Sequence, residues 1–112
     1  FNLSTGFDLS TISTTSNSFS ISSHTSYPNS LAVSDDGTKI FVGDDVNNRN
    51  IYEYSASTGW DASTISYSST HHIANDLGGP AQGYLKDLVF SASGDKMYLI
   101  NGSLSKILQY SW

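Results

Sequence analysis

Apolar residues in this chain come in short runs and alternations, and no stretch sustains the three-to-four-residue spacing of an amphipathic helix. Residues 30–34 and 87–91 predict short, largely apolar strands, the kind that lie deep in a sheet assembly. Each runs into a glycine turn, Asp35-Asp36-Gly37-Thr38 and Ala92-Ser93-Gly94-Asp95, in which Gly supplies the positive φ and the acidic side chains cap the backbone. Residues 39–42 and 96–100 predict the returning strands. Residues 51–55 and 107–111 alternate apolar and polar positions and predict half-exposed third strands. A fourth strand is expected at residues 18–22, where Phe19 and Ile21 share one face, with its counterpart at residues 71–74. Between third and fourth strands, residues 5–13 and 58–66 predict capped turns or short 3₁₀ segments built on Asp8 and Asp61.

The elements occur twice in the same order. Ser4-Thr5-Gly6-Phe7-Asp8 returns 53 positions later as Ser57-Thr58-Gly59-Trp60-Asp61. Leu31-Ala32-Val33 returns 57 positions later as Leu88-Val89-Phe90, and Ile51-Tyr52-Glu53-Tyr54-Ser55 returns 56 positions later as Ile107-Leu108-Gln109-Tyr110-Ser111. A strand-rich period in the fifties points to blades of a β-propeller or a similar repeat array, because one such unit cannot cover both of its own faces. The expected fold is therefore all-β: two four-stranded antiparallel blades per chain, with a ring completed by oligomerisation or by a longer parent chain. Residues 1–56 form the first repeat, opening with the outer strand of a preceding blade. Residues 57–112 form the second, ending after its third strand. An orphan outer strand at one end and a missing one at the other are complementary. Pairing the first segment of one copy with the third strand of another would remove exposed edges. Two blades per chain favour a homotrimer of six blades, with a tetramer of eight second.

The run Pro28-Asn29-Ser30-Leu31-Ala32-Val33-Ser34-Asp35-Asp36-Gly37-Thr38-Lys39-Ile40-Phe41-Val42, followed by Tyr52-Glu53-Tyr54 and Trp60-Asp61-Ala62-Ser63-Thr64, resembles a bacterial and phage β-propeller repeat family related to the YVTN and NHL propellers. The resemblance covers nearly the whole chain. It implies the propeller architecture and carries no catalytic residue with it, since propellers host unrelated functions on one scaffold. The second repeat departs from the pattern: Leu85 stands for the Pro, Ala92-Ser93-Gly94 for the Asp-Gly turn, and residues 76–83 lengthen the loop before the first strand.

Composition narrows the partners. The formal net charge is −5 with five Lys and Arg, so there is no basic footprint for nucleic acid. No apolar run approaches the roughly 20 residues of a membrane span. Cysteine is absent, which excludes thiolate chemistry and disulfides. Abundant Ser, Thr, Asn and Gly with few charges suits a secreted, cell-surface or virion protein.

Candidate chemistry is sparse. His71-His72 are adjacent, so on a strand they point to opposite faces and cannot converge on one zinc ion. Asp44, Asp45 and Asn47 lack the ligand spacing of an EF-hand loop, so no cofactor is expected, with calcium at these three residues as the alternative. Tyr52, Tyr54, Tyr98 and Tyr110 are expected to pack within and between sheets, and Phe7 and Trp60 to act as equivalent structural anchors. The loops before the first strand and between the second and third share one end of the fold. There we place His24, Thr25, Tyr27, Asp44, Asp45, Asn47, Asn48, Arg49, Asp76, Gln82 and Tyr84 as ligand-binding residues. Carboxylates, amides, His and Tyr together suit a polar ligand such as a glycan, or a protein partner. The expected function is a non-enzymatic module for binding or surface recognition. The alternatives are a metal-assisted hydrolase or lyase with an ion in the central channel, and a purely structural extracellular or phage-particle component.

Overall fold

The computed structural model of the protein describes residues 6–8, 10, 16–45, 50–73 and 84–111. These residues form an all-β chain of seven strands: β1 (Pro28–Val33), β2 (Lys39–Asp44), β3 (Asn50–Ala56), β4 (Ile65–His72), β5 (Leu85–Phe90), β6 (Lys96–Asn101) and β7 (Lys106–Ser111). They make two antiparallel meanders, a four-stranded sheet in the order β1-β2-β3-β4 and a three-stranded sheet in the order β5-β6-β7.

The two sheets repeat one another pair by pair. Leu31 faces Val42 and Ala32 faces Phe41 in the first; Leu88 faces Leu99 and Val89 faces Tyr98 in the second. Gly43 faces Ile51, as Ile100 faces Ile107. A register shift falls between Pro28 and Ser30, and again between Leu85 and Asp87. The glycine turns repeat as well, with Gly37 at φ 71° and Gly94 at φ 72°, a region that L side chains enter only at a cost.

Alternation along the strands divides each sheet into two faces. One face of the second sheet carries Leu88, Phe90, Met97, Leu99, Leu108 and Tyr110. It packs on Ala32, Phe41 and Ile51 of the first sheet, with Leu85 and Ile73 completing the core. Phe41 and Phe90 meet with ring centroids 4.3 Å apart. The sheets also meet at Gly43, where a Cβ would collide with the Leu85 side chain and the Ser30 hydroxyl. On the opposite face of the first sheet, Val42, Tyr52 and Tyr54 are buried under Ile21, Ile40 and Ile65. Phe19 packs edge-on against Tyr54 at 5.7 Å, and His24 stacks on Tyr67 at 4.1 Å. The expectation that tyrosines pack within and between sheets therefore holds for Tyr52, Tyr54 and Tyr110.

Three expectations are corrected. Residues 18–22 form no strand: Phe19 and Ile21 lie across the face of the first sheet, and the chain turns after Ile21 through bonds from the His24 and Thr25 amides to its carbonyl (3.0 and 3.1 Å). Alternation satisfies a segment lying on a sheet as well as one inside a ladder, which is why the pattern misled. The fourth strand of the first sheet spans Ile65–His72 instead of residues 71–74. It is poor in apolar residues, and cross-strand polar contacts take their place: Ser55 to Ser68 at 2.7 Å, Ser69 to Glu53 at 3.1 Å, and His72 to Asn50 at 2.7 Å. Finally, the two four-stranded blades are one sheet of four and one of three, because no strand pairs with the outer edge of β7 among the described residues.

The turn ahead of β4 forms as its sequence predicts. Asp61 caps the 3₁₀ segment Ala62–Thr64, accepting from the Ser63 amide (3.0 Å) and hydroxyl (2.7 Å). Asp8 accepts from the Ser10 amide and hydroxyl at the same two distances. Trp60 and Phe7, the residues before these aspartates, both adopt positive φ, 63° and 61°.

Candidate binding surface at the loop end of the sheets

The start of β1, the end of β2, the start of β5 and the end of β6 lie at one end of the fold, as antiparallel meanders require. Asp44, the last residue of β2, is buried and accepts a 2.9 Å bond from the Thr25 hydroxyl. That hydroxyl in turn accepts the Tyr27 amide at 3.1 Å, and the Tyr27 carbonyl accepts the Asp45 amide at 3.3 Å. The bonds tie the segment entering β1 to the strand leaving the sheet, so Asp44 works as a loop pin. Asn101 holds the equivalent place in the second sheet, 57 positions on. It is fully buried, and its side-chain oxygen accepts the amides of Ser103 (3.0 Å) and Leu104 (3.1 Å).

Next to this pin, side chains from the two sheets converge. The Lys86 ammonium lies 3.6 Å from Asp45 Oδ2 and 5.1 Å from the centroid of the Tyr84 ring, within cation–π range. The Tyr84 carbonyl accepts the Gly102 amide at 2.8 Å, and the Lys86 stem lies over Gly102, which holds the ammonium in position. Asp45 Oδ1 is buried and has no hydrogen-bond partner among the described residues. Tyr84 and Tyr27 are each about half exposed, at 50% and 52%. The group is a carboxylate with a spare acceptor, a cation and an exposed phenol ring. The half-exposed Lys86 ammonium and the phenol hydroxyls of Tyr84 and Tyr27 can bond a ligand hydroxyl or carbonyl while the rings supply apolar contact, and Asp45 holds the ammonium from beneath.

Of the residues expected here, Tyr27, Asp44, Asp45 and Tyr84 fall at this end, with Thr25 among them. His24 sits apart, stacked on Tyr67 over the face of the first sheet. Asn47, Asn48, Arg49, Asp76 and Gln82 lie outside the described residues. Sequence reasoning passed over Lys86, which reaches across the boundary between repeats; its counterpart 57 positions earlier is Asn29, so the repeat gave no signal for it. It also passed over Asn50, buried at the start of β3, whose amide donates to the Tyr52 hydroxyl at 3.1 Å. Among the described residues no three His, Cys, Asp or Glu side chains gather closely enough to hold a metal ion.

A second concavity of about 1170 Å³ opens between the two sheets, lined by Phe41, Phe90, Met97 and Tyr110 with Glu53 and His71 at its polar side. Lys39 donates to Glu53 at 2.5 Å and Ser69 donates at 3.1 Å, with His71 3.7 Å away. The Lys39 bond foremost holds the Glu53 carboxyl below its ordinary range, with Ser69 and His71 adding to it against the effect of partial burial. Glu53 is therefore an ionised, occupied acceptor at neutral pH, poorly suited to deliver a proton.

No protein-family model matches the chain, and no curated protein matches it. The likeness to propeller repeats accordingly rests on the residues quoted above. None of the helical structure among the described residues is long and apolar enough to cross a membrane.

Proposed function

We propose that this chain is a non-enzymatic binding module of propeller type, whose copies associate head to tail and present the Asp45–Lys86–Tyr84 end to a polar ligand, a glycan before a protein. The observation that carries the reading is the convergence of Asp45 and Lys86 with the half-exposed Tyr84 ring at the boundary between the two sheets, with Tyr27 half exposed at the same end. A lone charge on a loop is ordinary surface. A half-exposed cation paired with a carboxylate and set beside exposed phenol rings has the composition of a recognition site for hydroxyl-rich ligands. The radial part of the reading is supported by the way the two sheets stack, one face of the repeat on the opposite face of the next, an arrangement that can continue into further copies.

A glycan array followed by calorimetry on the strongest hit tests the ligand. Asp45→Asn and Tyr84→Ala are each expected to weaken binding about tenfold, the loss of one charge-assisted bond or one ring contact. Binding unchanged in both variants, or an array without hits, would exclude this end as a glycan site.

A further inference from the structure

The described residues contain a turn-on-turn contact, and they contain the two halves of a second one, apart. In the first repeat, Gly59 and Trp60 seat on the turn between β1 and β2: the Trp60 amide donates to the Gly37 carbonyl at 3.2 Å. A Cβ on Gly37 would come within 2.5 Å of Trp60, and one on Gly59 would strike the Asp36 carbonyl. At the equivalent turn between β5 and β6, no described residue lies within 4 Å of a Cβ on Gly94. The equivalent plug, Gly6-Phe7-Asp8, is already folded in the same shape as Gly59-Trp60-Asp61, down to the positive φ and the bonds from Ser10. Among the described residues nothing lies within 4 Å of a Cβ on Gly6, and the Phe7 side chain is fully exposed.

The sheets show the same imbalance. The first-sheet residues that cover the second sheet, Ala32, Gly43 and Ile51, have the counterparts Val89, Ile100 and Ile107. All three of these are exposed, on one face, in the same register. On the far side of the first sheet, Pro28, Leu31, Val42 and Ile21 line an open apolar groove of about 300 Å³. At the filled interface Leu85 rests against Gly43; at the open one the same two places hold Pro28 and Ile100. A smaller residue thus faces a larger one, so the paired volume is kept.

We infer that a second copy of this chain docks on the exposed face of β5-β6-β7, its Gly6-Phe7-Asp8 turn seated on the Ser93-Gly94 turn and its Pro28–Leu31 groove receiving Ile100. The contact is heterologous: each copy offers a plug and groove at one side, and a bare turn and apolar face at the other, so association is head to tail. The inference rests on the head-to-tail reading proposed above and specifies the residues that meet.

Because the chain has no cysteine, single thiols report the contact directly. Phe7→Cys and Ser93→Cys chains are mixed and oxidised, and the species are separated on a non-reducing gel. The mixed disulfide is expected to exceed either homodisulfide at least tenfold, because only the mixed pair lies within bonding distance. Phe7→Ala removes no buried surface from the protomer, because the Phe7 side chain is fully exposed. It is expected to weaken association roughly tenfold by light scattering, from the loss of some tens of Å² of buried ring, and Ile100→Asp to abolish association with an unchanged far-UV spectrum. A multimeric parent chain whose mixed disulfide does not exceed the homodisulfides would overturn this contact while leaving head-to-tail assembly standing. A parent chain that stays monomeric at high concentration would overturn both.

Discussion

The sheet-on-sheet contact is the feature on which the rest of the structure depends, and Leu85 with Gly43 tests it most sharply. Leu85 is completely buried between the sheets, its side chain against the bare Cα of Gly43. Leu85→Ala removes three carbons, about 2.4 kcal/mol at roughly 0.8 kcal/mol per buried methylene, and leaves a cavity that raises the cost to about 3–4 kcal/mol. Gly43→Ala acts from the other side: its methyl group overlaps both Leu85 and Ser30, an overpacking cost of about 1–3 kcal/mol. With Leu85 cut back to Ala, half of that overlap disappears, so the double variant should be more stable than the sum of the singles by about 1 kcal/mol. Urea unfolding followed by circular dichroism on all four proteins measures the coupling. Losses that add to within about 0.3 kcal/mol would mean that Leu85 and Gly43 do not touch, and that the two sheets are not stacked as described.

The two glycine turns should respond unequally to the same change. Gly37→Ala meets both the positive φ and the Trp60 ring, for a loss of about 2–3 kcal/mol, whereas Gly94→Ala meets only the φ, about 1 kcal/mol; equal thermal shifts would refute the docking of Trp60. Acid should unfold the protein through its turns. The Ser34 hydroxyl, then the Thr38 amide and hydroxyl, hold the Asp36 carboxyl down at about 2, and Ser63 and Lys39 lower Asp61 and Glu53 in turn. These groups bind protons more weakly folded than unfolded, so their contribution is complete above pH about 4.5 and is lost as pH falls toward 2. Urea midpoints should therefore be flat from neutrality to about pH 5 and decline below it, less steeply in Asp36→Asn; a decline beginning above pH 6 would point to other groups. Lys39→Met should cost under about 1 kcal/mol despite the short bond to Glu53, since the ammonium is half exposed, and a larger loss in thermal denaturation would contradict the weak-pair argument.

Much of the site was beyond the reach of sequence reasoning for a definite reason. Lys86 approaches Asp45 only because β5 packs beside the end of β2, and no periodicity in either segment encodes that approach. Asp44 was legible as a loop residue but not as a buried pin, because its role comes from Thr25, 19 positions away. His24 belongs by sequence to the loop before β1, yet the stack of Tyr52, Tyr54 and Tyr67 draws it onto the sheet.

The sequence alone determined what is local and what is repeated: the glycine turns, the Asp-capped 3₁₀ segment, six strands within a residue or two, and their duplication at a spacing of 53 to 57. These follow from backbone preference and from alternation, which act over a few residues. The tertiary structure decided which face of each sheet is covered, where the polar strand β4 pairs, and that Phe19 and Ile21 lie upon the sheet instead of within it. A Ser- and Thr-rich strand has no apolar stripe to announce it, and an alternating segment can serve a face or an edge equally. Only the neighbouring strand, with its unpaired amides and carbonyls, chooses between them.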